Sequence, residues 1–178
     1  MTLPEQNEIT RLLMHNLDDG FTTMVDRYQP AIYSGAVRLT RHHHDAQDVA
    51  QDTFVRAYTA LEGFSDERIA ALALRPWLWT IALNLCRNRA TRTKQTSPLS
   101  SDDAVRHNDE EPLDFDAWNQ RFDRLSIDQR SAVVLRHVVG LSIAEISSIT
   151  NRPDGTVKTD ISRGLERLKV ALTVEAHT

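Results

Sequence analysis

The chain has 178 residues, 40% hydrophobic and 26% charged, with six glycines, six prolines, one cysteine and a net charge of −4. That length holds one ordinary domain or two small ones, and so few helix breakers suit a helix-rich globular protein. No apolar run approaches the roughly 20 residues a bilayer demands, MTLPEQNEITR is no signal peptide, and a lone Cys86 excludes a disulfide framework or a cysteine-based zinc site. A cytoplasmic protein is expected.

The first well-patterned element is DAQDVAQDTFVRAYTALE, residues 45–62. Ala46, Val49, Ala50, Phe54, Ala57, Tyr58 and Leu61 recur at helical spacing on one face, while Asp48, Asp52, Arg56 and Thr59 line the other. By composition alone such a polar face reads as a solvated surface, with a docking surface as the alternative. Three histidines, His42 to His44, precede it. Successive residues on a helix point in different directions, so a solvated turn is expected there rather than a metal site. GFSDERIAALALR follows as a loop, and Pro76 then marks the start of a helix with Trp77 or Leu78, Ile81 and Leu85 on its core face. Cys86 lies in this apolar stretch and is expected to be a buried, inert thiol. Asn84, Arg87 and Asn88 fall off the core face. Amides beside arginine and aromatic rings can grip a splayed single strand, although Trp77 and Trp79 serve equally well as core.

Charge is segregated along the chain. Residues 75–94 carry five cations (Arg75, Arg87, Arg89, Arg92, Lys94) and no acid. Residues 95–116 carry seven acids against Arg106 alone, with no helical period, which reads as a flexible acidic linker between two helical domains. A local basic surface matters more for nucleic-acid contact than the negative total.

The most informative segment is 139–169, VGLSIAEISSITNRPDGTVKTDISRGLERLK. Ile143, Ile146 and Ile149 form the stripe of one short helix, and Val157, Ile161, Leu165, Leu168 and Leu172 that of a second. Gly140 suits the left-handed end of the preceding helix, which carries Val133, Val134 and Val138. In the turn from Asn151 to Gly155, Pro153 suits a first helical position and Asp154 a cap. Helix, turn and helix is the arrangement of a helix-turn-helix, as well as of an ordinary helical hairpin. At about 100° per residue, Thr159 and Arg163 each sit about 160° from Ile161, with Thr156 and Ser162 beside them and Lys158 nearer the seam. That outer face is short, polar and basic. Asp160 is discordant, since it would repel phosphate unless it accepts from a cytosine amino group or pairs with Arg163.

The order of FTTMVDRYQPAIYSGAVRLT, DAQDVAQDTFVRAY, LRPWLWTIALNLCRNRATR, an acidic stretch and LSIDQRSAVVLRHVVGLSIAEISSITNRPDGTVKTDISRGLERL resembles the extracytoplasmic-function (ECF, group 4) RNA polymerase sigma factors of the sigma-70 family, from about residue 20 to 172. The motifs D-A-x-D-V-x-Q-D-x-F, W-L-x-x-I-A-x-N, G-L-S-x-x-E-I and G-T-V-K carry the likeness. The resemblance implies an all-α chain: a region 2 bundle over 1–94, a flexible linker over 95–117 and a region 4 helix-turn-helix over 118–178. It implies no catalytic activity, no cofactor and no metal. Its implied partners are core RNA polymerase, through the β′ clamp helices and the β subunit, and promoter DNA, as a −10 single strand and a −35 duplex. An anti-sigma factor is also implied, and the linker would run toward the RNA exit path.

Carried over by position, the resemblance puts Asp48, Gln51, Asp52 and Val55 on the clamp helices. It puts Arg75, Trp77, Asn84, Arg87 and Asn88 around a flipped −10 base, with Gly63 to Leu74 as the pocket wall. Arg136, Thr156, Lys158, Thr159, Ser162 and Arg163 fall at the −35 element. Family members usually carry a basic residue where this chain has Asp160, and often an acid where Asn88 stands. Two other classes compete. A stand-alone helix-turn-helix regulator would need a sensing domain, usually with strands, and residues 1–96 show no strand alternation. An enzyme would need a site motif, and no Gly-rich phosphate loop, HExxH or GxSxG is present.

Overall fold

The computed structural model describes residues 3–96 and 120–175, and every regular element among them is helical. A first unit holds α1 (Leu3–His15), α2 (Leu17–Thr40), α3 (His43–Glu62), α4 (Asp66–Ala70) and α5 (Leu74–Thr96). A second holds α6 (Ile127–Val133), which runs into a π turn (Val134–Val138), then α7 (Ile143–Thr150) and α8 (Asp154–Glu175). This is the expected all-α, two-unit architecture. The expected linker lies outside the described residues except for positions 95–96, which continue α5. None of the described helices is long and apolar enough to cross a membrane.

Local chemistry sets the helix ends. Asn16 caps α2, its side chain accepting from the amides of Asp18 and Asp19. Ser126 with Gln129, and Ser142 with Glu145, form reciprocal capping boxes that satisfy two otherwise orphan amides each. The S-x-x-E of the motif G-L-S-x-x-E-I is thus a helix start. Gly140, at φ 77°, turns the chain between the π turn and α7. Asn151 takes the left-handed conformation at φ 52° to end α7.

In the first unit, α3 buries Ala46, Val49, Ala50, Phe54, Ala57 and Leu61 as its period requires. Tyr58 is half-buried instead, its hydroxyl donating to Asp18 at 2.7 Å. On α5 the buried residues are Leu78, Trp79, Ala82, Leu83, Leu85 and Cys86, whereas Trp77 and Ile81 are only half-buried. Trp79 is therefore core. It lies against Gly35 of α2 so closely that a Cβ there would sit 2.3 Å from its ring. Burial pushes the Cys86 thiol up to about 12, as expected of an inert cysteine.

Two local expectations change. Residues 63–74 are not one loop: Ser65 caps the short α4, and Ile69 and Leu74 are buried. Within the IAALAL run Ile69 and Leu74 are the buried anchors, and α4 packs against α1. In α8 the seam is Val157, Ile161, Gly164, Leu168 and Ala171, while Leu165 and Leu172 stay 40% and 41% exposed. Small residues lie at the closest approach of α6, where a Cβ on Gly164 would meet the Val133 side chain at 2.7 Å. Large residues cannot sit there, so they are pushed to the seam's edge.

Candidate nucleic-acid interface

Three surfaces carry the residues singled out by the sequence. On α3, Asp48, Gln51, Asp52 and Val55 recur at helical spacing and form one stripe. Gln51 is exposed, and Val55 is 59% exposed, the most exposed large hydrophobic side chain among the described residues. The two aspartates are held. Arg89 of α5 binds Asp48 and Asp45 through Nη1 at 3.1 Å each, and its Nη2 lies 3.6 Å from Asp52. Partial burial works against the Arg89 charge, but its bonds to Asp48 and Asp45 outweigh this and hold its pKa above the ordinary value. His44 lies 3.5 Å from Asp48, and His44, Asp45 and Asp48 are close enough to share an ion. Two of those three already ligate a guanidinium, and His44 is 87% exposed, so the group is a surface ion-pair cluster. His42 is exposed at the helix start, and His43 pairs with the Tyr33 hydroxyl at 2.9 Å.

The second surface is on α5. At about 100° per residue, Trp77, Asn84 and Asn88 fall within about 40° of one another. Both asparagines are exposed, and the half-buried Trp77 packs on Phe64 with ring centroids 5.9 Å apart. Arg68 in turn covers Phe64, 3.6 Å above its ring. Arg75 stands apart from this group, about 160° around the helix from Trp77. It donates to the backbone carbonyl of Val139 in the second unit. Arg87 likewise faces the second unit, 3.6 Å from Asp128. Arg41 pairs with Asp123 beside them. The α5 residues are thus two sets: an open aromatic and amide face, and two arginines engaged by the other half of the chain.

The third surface is the start of α8. Lys158, Thr159, Ser162 and Arg163 are exposed and Thr156 is half-buried. The helix begins one residue later than expected, at Asp154, with the Pro153 carbonyl accepting from the amides of Thr156 and Val157. Asp160 does not join the outer face. Its side chain is only 14% exposed and pairs with Arg152 at 2.6 Å, not with Arg163. Arg152 also holds Asp128 at 3.1 Å. Asp160 is thus withdrawn from the outer face, and the discordance read from the sequence at that position disappears. Arg136 is exposed on the π turn, where one Nη1 donates to the Leu141 carbonyl at 2.8 Å across the Gly140 bend.

Arg89, Asp45, Arg152 and Asp128 were not singled out by the sequence. Asp45 shares the helical phase of Asp48 and Asp52, which was a readable sign. Arg89 lies more than forty positions from Asp45 and Asp48 in the chain, so no local pattern marks it.

Comparison with known proteins gives the family of the chain. The Sigma-70 region 2 family matches residues 24–96, and the Sigma-70, region 4 family matches residues 116–168. The ECF RNA polymerase sigma factor SigW of Bacillus subtilis is 31% identical over 171 residues, spanning 86% of this chain and 89% of that protein. The chain belongs to the ECF RNA polymerase sigma factors. It is a promoter-specific transcription initiation factor that binds core RNA polymerase and promoter DNA. The RNA polymerase sigma-H factor of Pseudomonas aeruginosa is 28% identical over 189 residues, with 97% and 96% of the two chains covered. Among solved structures, the sigma factor RpoE in complex with the anti-sigma factor NepR from Bartonella quintana superposes with a TM-score of 0.70 at 27% identity, covering 86% of this chain and 97% of that one. CnrH in complex with the cytosolic domain of CnrY shares the fold, with a TM-score of 0.72 at 23% identity over 96% and 98% of the chains.

Proposed function

We propose that this ECF sigma factor is a group 4 member that works through the three surfaces above. Its region 2 domain (1–94) docks on the β′ clamp helices through Asp48, Gln51, Asp52 and Val55. It captures a flipped −10 base with Trp77, Asn84 and Asn88, while Arg75 and Arg87 hold the strand's phosphates. Its region 4 domain (118–178) reads the −35 duplex through Arg136, Thr156, Lys158, Thr159, Ser162 and Arg163, and the linker (95–117) crosses the β subunit toward the RNA exit path. The protein acts in the cytoplasm, catalyses nothing itself and needs no cofactor. An anti-sigma factor is the natural regulator, since the similar RpoE structure holds one.

The observation that carries this reading is the start of α8. An exposed Thr159, Ser162, Lys158 and Arg163 face, with Asp160 withdrawn onto Arg152, suits a major groove lined by phosphates. The −10 reading adds a structural condition. Arg75 and Arg87 are engaged by the second unit, so strand capture by both arginines requires the two units to part.

Reconstituted transcription tests the reading. Core polymerase with this chain should start at discrete genomic sites, each losing activity when its −35 or −10 element is scrambled. A chain that acts only on preformed holoenzyme would instead be a helix-turn-helix regulator.

A further inference from the structure

The geometry points to Arg89 as the residue that positions the polymerase-docking carboxylates. This rests on the docking reading of α3 proposed above. Asp45, Asp48 and Asp52 stand on one side of α3, where three like charges repel one another and favour splayed rotamers. Arg89 reaches across from α5 and meets all three, at 3.1, 3.1 and 3.6 Å. Its guanidinium is a rigid fork with several donors, so one side chain fixes several carboxylates where a lysine would fix one. Asp48 accepts from Arg89 through Oδ2. The acids are 32%, 39% and 50% exposed, against 26% for Arg89. The arginine therefore lies beneath the carboxylates and leaves them open to a partner. A cationic groove on polymerase would meet acids that have already lost their rotamer freedom, which removes part of the entropic penalty of docking.

The opposite role is physically distinct. If Arg89 chiefly neutralised the acids, removing it would add one unit of net negative charge, strengthen attraction to a basic partner and tighten binding. Positioning predicts weaker binding despite the gain in negative charge.

The test uses the full chain and core polymerase, with dissociation constants from fluorescence titration at 25 °C. The variants are Arg89→Met, which keeps the apolar stem, Arg89→Lys, which keeps the charge without the fork, and Asp48→Asn with Asp52→Asn. Arg89→Met should bind core about tenfold more weakly and Arg89→Lys about threefold, the scale of ordering two or three side chains anew. In the Asp48→Asn, Asp52→Asn background, Arg89→Met should change affinity less than about twofold, because a residue acting through those acids has nothing left to position. A purely structural arginine would lower affinity by the same factor in both backgrounds, and that result overturns the inference. So does unchanged or tighter binding by Arg89→Met when the paired Asn variant is weakened. If Arg89→Met does not fold, Arg89→Lys decides, since wild-type affinity there removes the role of the fork. Wild-type affinity in the paired Asn variant refutes the docking reading itself, and the role of Arg89 falls with it.

Discussion

Replacing Asp123 and Asp128 with Asn removes the two carboxylates by which the second unit holds arginines of the first. Arg87 and Asp128 are 30% and 48% exposed, and Arg41 and Asp123 are 36% and 48% exposed. Solvent screening leaves pairs this open worth about 0.5 kcal/mol each. Together they amount to about 1 kcal/mol, or roughly a fivefold change in how often the two units stand apart. A ligand that needs the parted form should gain affinity by the same factor. Fluorescence anisotropy of a labelled non-template strand carrying the −10 sequence measures this directly. The Asp123→Asn, Asp128→Asn protein should bind it about fivefold more tightly at low salt, and the gap should narrow as salt screens the pairs in the wild type. Losing two acids also raises affinity for any polyanion, so an unrelated duplex serves as control. Equal gains on both probes, or none on the single strand, would show that the second unit does not compete for this surface.

Within the second unit, Arg163→Ala and Arg136→Ala should weaken −35-dependent initiation by about 1–3 kcal/mol for any contact that reads a base, while Lys158→Ala weakens all promoters alike and flattens the salt slope of duplex binding. Three unaffected duplex shifts would mean that α8 is not the reading helix. Asn84→Ala with Asn88→Ala should spare core binding but reduce permanganate reactivity of −10 thymines, and a pre-melted bubble template should restore most transcription; equal defects on duplex and bubble would assign these residues elsewhere. Gly164→Ala should lower the stability of the second unit by about 1–3 kcal/mol in a denaturant titration, because its methyl meets the Val133 side chain. Cys86 gives a pH signature. Its thiol is pushed up from 9.0 to about 12, so above about pH 9 the unfolded chain binds fewer protons and stability falls as pH rises, by up to about 1.4 kcal/mol per unit. Cys86→Ala should remove that part of the slope.

What the sequence carried well is what local chemistry determines. The α3 face, the Gly140 turn and the buried Cys86 all follow from spacing within one or two helical turns, and the structure keeps them. What it carried badly depends on the neighbour across the interface. The α8 seam was read along its large residues, but Gly164 and Ala171 occupy two of its positions, and at Gly164 α6 comes too close for anything bigger. Trp77 and Trp79 are two residues apart, and only the closeness of Gly35 decides which is core.

Asp160 is the instructive failure. Judged by its neighbours in sequence, it is a negative charge on a face meant for phosphate, and Arg163 is its nearest cation within α8. About 100° per residue already turns it away from the centre of that face, yet periodicity gives no partner. The partner, Arg152, lies in the turn before α8, where Asn151 adopts a left-handed conformation and the helix starts at Asp154. The same Arg152 holds Asp128, which in turn faces Arg87 of the first unit. One acid that looked like a flaw in DNA recognition thus ends a chain of charges running from α8 to α5. Its removal should disturb the turn and the contact between units before it improves any contact with DNA.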